Sequence, residues 1–281
     1  MDRVITPQTD GYPKRLSGLK DAPSALYWRG PIDESPLPIA VVGARAATGH
    51  ALERAALLAD AIVSGGGTVY SGGAIGVDAA AHRAALRSRG RTVAVLASGF
   101  DHLYPARHKP LFGHILAEGG ALVSRHEPTV APRRYQFVVR NRLLARLCDA
   151  VVVVEADRAS GSLYTARAAI AAGRRLFAMP GSPGCEALIA QGATPLADPG
   201  SIVSAMTSAT APTLAALAPR DAAVLELLGD TPRSAEELAG ACGLEARDVD
   251  RALAALEMSR FALAMPGRSY VRSALGEAVR S

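Results

Sequence analysis

Three times between Val41 and Pro180 the chain runs a β-branched strand straight into a small-residue turn and then a helix: VVGAR from Val41, YSGGAIGVDAAAH from Tyr70, and VVVVEADRASGSLYTA from Val151. Strand-to-helix turns of one parallel sheet gather along its carboxyl edge. They aim several helix N-termini, with their free N–H groups, at one crevice. Such a crevice suits an anion.

From Pro38 the pattern alternates throughout: strand IAVVG, helix 47–64, strand TVYSG, helix 75–89, strand TVAVLAS, helix 109–118 and strand ALVSR. After an arginine-rich loop come helix 141–147, strand AVVVVEA, helix 161–172, strand RLFAMP and a short helix over 186–191. This predicts an α/β fold, a Rossmann-like, doubly wound, mostly parallel sheet with helices on both faces. The continuous apolar run Val151–Val154 predicts a strand buried on both faces, since a half-exposed strand would alternate apolar and polar residues. Pro7, Pro13, Pro23, Pro31, Pro36 and Pro38 deny residues 1–37 a long helix. That stretch reads as an irregular lead-in packed on the domain through Tyr12, Leu16, Leu26, Tyr27 and Trp28.

The domain boundaries expected are 38–207 for the large domain, 208–218 for an Ala/Ser/Thr/Pro linker, and 219–281 for a small domain. In the last, helices 221–228, 234–242 and 246–258 precede a hairpin over 264–270 that turns at Pro266 and Gly267. The Ser-Ala-Glu-Glu cap at 234–237 and the Gly243-Leu244 turn make this a winged-helix pattern. Residues 219–281 hold eight arginines against ten acids, net −2, leaving +7 on residues 1–218. Its third helix region, 245–260, carries four acids and three arginines, which favours protein contact over groove reading.

The formal net charge is +5, carried by 28 Arg and 3 Lys. The arginine bias suits forked recognition of phosphate, and equally fits a GC-rich genome. No apolar run approaches the ~18 residues that cross a bilayer, and MDRVITPQTDGYPKRL lacks the apolar centre of a signal peptide, so a cytoplasmic protein without membrane partners is expected. Cys148, Cys185 and Cys242 form an odd set without CxxC spacing and read as packing residues. The six histidines show no HExxH pattern, so neither metal nor cofactor is expected.

Four constellations carry the candidate chemistry. Gly43 lets backbone approach a ligand and Arg45 can fork onto a phosphate, although glycine at a strand end is common. Ser71, Gly72, Gly73 and Gly76 read as an anion cradle before a helix, matching neither the Walker nor the GxGxxG pattern. Asp78 and His82, four apart on one helical face, admit an acid/base pair; the plainer and preferred reading is a hydrogen bond stabilising the turn. Ser160, Gly161 and Ser162, with Thr165 one turn inside, offer hydroxyls and N–H groups at a helix start, more than a single cap requires.

The fourth is residues 125–146, with six arginines (Arg125, Arg133, Arg134, Arg140, Arg142, Arg146), the acid Glu127, and Tyr135 and Phe137 interleaved. Single-stranded nucleic acid wants this mixture, because phosphates need countercharge and unpaired bases need flat surfaces to stack on. Tyr135 and Phe137 as simple core anchors are the plainer reading.

Taken together, GAR, SGGAIGVDAAAH, GFDHLYP, FVVRNR, EADRASGSLYTA, AGRRLFAMPG and GCEALIAQGA resemble the DNA-processing protein A (DprA, or Smf) family over about residues 12–206. The resemblance implies a Rossmann-like domain that binds single-stranded DNA in a basic pocket, dimerises, and helps load the RecA recombinase during natural transformation, often with a C-terminal winged helix. It further implies that Arg45 contacts phosphate, that Phe137 stacks, and that Arg140, Asn141 and Arg142 position the strand. Arg134 joins them on the basic segment, and Ser71, Gly72, Gly73, Ser160, Gly161 and Ser162 would line the pocket. The chain departs from the family pattern at Ala44, Arg125 and Glu186, where many members have Ser, Glu and Asn. The helical domain that often precedes the lead-in is not expected here. On this reading the protein binds without making bonds. The alternative is a Rossmann-like nucleotide-binding protein or nucleotide N-glycosidic hydrolase, whose PGGxGTxxE signature the chain lacks.

Overall fold

A computed structural model describes residues 2–17, 19, 22–32, 37–207, 219–229, 231–258, 261–265, 267 and 269–272. The chain divides into two compact units, 1–207 and 208–281.

The first unit runs β1 (Asp2–Ile5), β2 (Leu26–Arg29), β3 (Pro38–Val42), α1 (Gly49–Ser64), β4 (Thr68–Ser71), α2 (Val77–Arg87), β5 (Thr92–Leu96), α3 (Lys109–Ala117) and β6 (Ala121–Ser124). It continues through α4 (Arg134–Leu147), β7 (Ala150–Val153), α5 (Ser162–Ala171), β8 (Arg175–Ala178), α6 (Pro183–Ala190), β9 (Thr194–Pro195) and α7 (Ile202–Thr207). The nine strands form one sheet in the order β1-β2-β6-β5-β4-β3-β7-β8-β9. All pairings from β6 to β9 are parallel. The doubly wound, mostly parallel sheet expected from the alternation is present.

Strand order reverses between β3 and β7: the chain winds outward from β3 to β6, then returns through α4 to lay β7 against the other side of β3, pairing Val41 with Val152 and Val42 with Val153. A crevice opens outside the carboxyl ends of the strands at such a switch point. β3 and β7 are buried along their whole lengths, as their unbroken apolar runs require. Alternate residues feed opposite faces: Ile39 and Val41 pack with α1 and α2, whereas Ala40 and Val42 pack with α4 and α5.

The lead-in is more regular than its prolines suggest. β1 and β2 form an antiparallel hairpin, and β2 adds antiparallel to β6 at the sheet edge. Prolines are tolerated because Pro7, Pro13, Pro23 and Pro31 lie outside these short strands and Pro38 stands first in β3. Leu16, Leu26 and Trp28 are fully buried, and Arg15 clamps Asp149 through two 2.7 Å bonds.

The second unit contains α8 (Pro219–Leu227), β10 (Arg233–Ser234), α9 (Ala235–Cys242), α10 (Ala246–Met258), β11 (Ala262–Met265) and β12 (Ser269–Arg272). Its sheet has the order β10-β12-β11, and Val224, Leu238, Leu253 and Phe261 build a core of their own. Ser234 caps α9 as its sequence signals: Glu237 N donates to Ser234 Oγ at 3.2 Å and Ser234 N to Glu237 Oε2 at 2.8 Å. Gly243, at φ 69°, ends that helix. The 208–218 linker and Pro266 of the expected hairpin turn lie outside the described residues.

Candidate nucleic-acid interface

A cavity of about 560 Å³ occupies the switch point. Its walls come from the turn after β3 (Gly43, Arg45), the start of α2 (Ala74, Asp78), α4 (Phe137, Arg140, Asn141) and the β7–α5 turn with the first turns of α5 (Asp157, Ser160, Gly161, Ser162, Tyr164, Thr165). A second cavity of about 250 Å³ adjoins it, sharing Arg45, Ala74, Phe137 and Arg140 and adding Gly72, Ile75, Ala97, Tyr104, Pro105 and Arg107.

The sequence places a helix only from Asn141, whereas α4 begins seven residues earlier at Arg134. Its inward face includes Gln136, Arg140, Leu143, Leu144 and Leu147. Two polar residues on that stripe hide the apolar periodicity. The Gln136 carboxamide accepts from Arg133 N and so secures the first turn. Once the segment is helical, Phe137, Arg140, Asn141 and Leu144 share one face and all reach the crevice. Arg142, about 140° around the helix from Phe137, does not. It is exposed and outside the lining, as is Arg134 on the first turn. Of the expected contact residues, Arg45, Phe137, Arg140 and Asn141 are therefore brought together at the crevice, and Arg142 and Arg134 are not.

Arg140 is a buried guanidinium. Nη1 donates to Gly72 O and, at 2.9 Å, to Val95 O, while Nε donates to Asn141 Oδ1 at 3.0 Å. Asn141 Nδ2 in turn reaches Gly161 O at 3.3 Å, which ties α4 to the start of α5. Burial pulls the Arg140 pKa below its ordinary value, with the Asp78 charge opposing.

Two N–H groups of the glycine turn 71–76 already serve an anion that the protein supplies itself. Asp78 Oδ2 accepts from Gly72 N at 3.1 Å and Ala74 N at 3.3 Å. Burial raises the Asp78 pKa, while the Arg140 charge and those two N–H groups act against it. The Ser71 hydroxyl is likewise committed, donating to Val41 O at 2.6 Å inside the sheet. Gly73 (φ 71°) makes room for Phe112, and Gly76 (φ 81°) for the carbonyls of Ala44 and Arg45. Ser71, Gly73 and Gly76 thus shape the turn and lie outside the lining of both cavities, whereas Gly72 lines the smaller one. Asp78 stabilises its turn, as the plainer reading held. His82 does not pair with it and bonds Thr92 Oγ1 at 2.7 Å instead.

Glu155 closes the β3 turn from the β7 side. Its carbonyl accepts from Ala44 N at 2.8 Å, and its carboxylate takes Thr48 N at 3.0 Å and the Thr48 hydroxyl at 2.6 Å. The Arg45 loop is thereby pinned at both ends, while Arg45 itself stays exposed and forms no hydrogen bond or ion pair with the described residues. Its guanidinium carbon lies 5.5 Å from the Phe137 ring centroid, and that of Arg140 lies 5.9 Å away. Tyr104 meets the same ring edge-on at 5.6 Å. Across the crevice, the Ser160 and Ser162 hydroxyls bond each other at 2.8 Å. Gly161 stands at the N-cap of α5 and offers it no side chain.

Tyr104 and Tyr164, both about half exposed, are crevice residues that the sequence reading left unassigned. Each sits inside a segment already singled out, GFDHLYP and SLYTA, and its aromatic character was the available signal. Among the described residues no group of three or more His, Cys, Asp or Glu side chains could hold a metal ion, and no helix is long and apolar enough to cross a membrane.

The switch-point crevice and the appended unit define an α/β protein of Rossmann-like type carrying a winged helix. Residues 3–207 match the family model for DNA recombination-mediator protein A, and residues 208–268 that for the DprA winged helix domain. The chain is 38% identical to the putative DNA processing protein DprA of Mycobacterium tuberculosis, over 98% of this chain and 79% of that one. To protein Smf of Escherichia coli it is 35% identical over 96% and 77%. Among solved structures it is similar to DprA of Streptococcus pneumoniae (TM-score 0.67, 36% identity, covering 72% of this chain and 73% of that one). It is also similar to DNA processing protein A of Helicobacter pylori, described for a unique single-stranded DNA binding mode (TM-score 0.65, 30% identity, 73% and 96%). The chain belongs to the DNA-processing protein A family.

Proposed function

We propose that this protein binds single-stranded DNA in the switch-point crevice and assists loading of the RecA recombinase in natural transformation and recombination, acting as a homodimer. The observation that carries the DNA reading is the stack of Arg45 on Phe137 at the junction of the two cavities. It sets a cation with no ionic partner among the described residues beside an aromatic ring, at a mouth completed by Tyr104, Tyr164 and the start of α5. Phosphates need the first and unpaired bases the second. The single-strand binding described for the Helicobacter pylori relative supports the same assignment. Family membership is what supports the RecA and dimer roles.

Binding, rather than glycosidic cleavage, is supported by the missing PGGxGTxxE signature; of the neighbouring carboxylates Glu155 is occupied by Thr48 and Asp78 by Gly72 and Ala74, which leaves Asp157 on the crevice wall. The winged helix, at net charge −2, is assigned to protein contact.

Oligonucleotide binding titrated with salt tests the proposal. Single strands should bind more tightly than duplex, with log K falling by ~0.7 per phosphate neutralised for each decade of salt. Equal affinity for duplex and single strand, or release of free base from nucleoside monophosphates, would refute it.

A further inference from the structure

Resting on the crevice as a single-strand site, we propose that Tyr164 and Arg167 form a second stacking platform on the outer surface of α5. The bound strand leaves the crevice across it and lays a further base on the Tyr164 ring.

The Arg167 guanidinium carbon lies 5.8 Å from the Tyr164 ring centroid, which repeats on the α5 wall the arrangement of Arg45 over Phe137. The two pairs are built differently. Arg45 and Phe137 meet from distant segments, whereas Tyr164 and Arg167 stand three positions apart on one helix, a spacing that brings side chains together. Ser162, Thr165, Ala166 and Ala169 form the buried stripe of α5, and this turns Tyr164, Arg167 and Ala171 outward.

A tyrosine and an arginine at this spacing can do no more than stabilise their own helix. Their surroundings ask more of them. Tyr164 is 50% exposed and at the same time lines the larger cavity, so its ring bridges the crevice and the open surface. Arg167 is exposed and makes no hydrogen bond or ion pair with the described residues, which leaves its charge for an anion. Asp157 on the same wall repels phosphate, and Arg167 supplies the countercharge that offsets it. An open ring beside an unspent cation gives a base a surface to stack on and its phosphate a partner. Because Phe137 and Tyr164 line one cavity, a single strand reaches both rings.

Strands whose sugars carry no base except at one position, or at two positions a variable distance apart, provide the test, read by anisotropy alongside sedimentation of the free protein. In the unaltered protein the second base should tighten binding about tenfold, the scale of one base–aromatic stack. Tyr164→Ala should lose that gain while still holding the one-base strand, and Tyr164→Phe should keep it. Arg167→Ala should flatten the salt dependence of log K by ~0.7. A second base that adds nothing at any spacing, or a Tyr164→Ala protein that binds both strands equally more weakly, would overturn the platform alone. So would unchanged binding by Tyr164→Ala with altered sedimentation, since the ring would then be a contact between copies of the chain. Failure to bind any single strand would instead remove the crevice reading on which the platform depends.

Discussion

The guanidinium carbon of Arg45 rests 5.5 Å from the centroid of the Phe137 ring, bringing together the turn after β3 and the first turns of α4, 92 positions apart in the chain. The ring orients the cation without neutralising it, as a carboxylate partner would. Countercharge and stacking surface thus stand side by side, and the two can be separated experimentally.

Arg45→Ala should weaken single-strand binding and flatten the salt dependence of log K by ~0.7, one phosphate contact. Phe137→Ala should weaken binding about tenfold, the scale of a lost base–aromatic stack, with the salt slope unchanged. Anisotropy titrations at several salt concentrations distinguish them; matching slope changes in the two variants would contradict the division of labour.

Glu155→Ala should reduce affinity although Arg45 is still present, because the Thr48 anchor of the Arg45 loop is lost. The salt slope should fall toward that of Arg45→Ala. An affinity equal to that of the unaltered protein would show that the loop holds its position unaided.

Gly76 adopts φ 81°, ψ −131°, a region essentially closed to side chains, with the Ala44 and Arg45 carbonyls against its α-carbon. Gly76→Ala should destabilise the first unit by about 1–3 kcal/mol and displace the Arg45 loop. Urea unfolding measures the first effect and oligonucleotide binding the second.

His82 is wholly buried. The Thr92 hydroxyl spends its proton on Val69 O at 2.7 Å and so accepts from His82 Nδ1–H, which leaves Nε2 as a bare acceptor without a partner among the described residues. Burial, then the charges of His108 and Arg140, lowers its pKa from 6.5 to about 3. Between those values the unfolded chain takes up a proton that the folded chain refuses. Stability should therefore be intact above pH 6.5 and fall as pH drops toward 3, by about 1.4 kcal/mol per unit from this group. Urea midpoints measured from pH 7 to 4 should show a shallower acid limb in His82→Gln; parallel limbs would exclude His82 as the source.

Much of both units is legible in the sequence, because the determinants are local. β7 declares itself in Ala150–Val153, and the cap on α9 in Ser234 and Glu237, since strand burial and helix capping depend on neighbours a few positions away. α4 was legible only in its second half. Gln136 and Arg140 point into the protein, and a polar residue on an inward face is invisible to hydrophobic periodicity.

The amino-acid order by itself determined the winding of the sheet, the winged-helix pattern and the segments that meet at the crevice, because strand and helix periods and turn chemistry are written in short stretches of chain. Which groups remain available inside that crevice was decided by packing. Asp78 closes the glycine turn from within, Ser71 turns its hydroxyl into the sheet, Arg142 swings off the face that Phe137 and Arg140 share, and Tyr104 arrives from a distant loop. The reason is that a donor or a charge is spent or spared by whatever the fold sets within about 3 Å of it, and that neighbour is often remote in sequence.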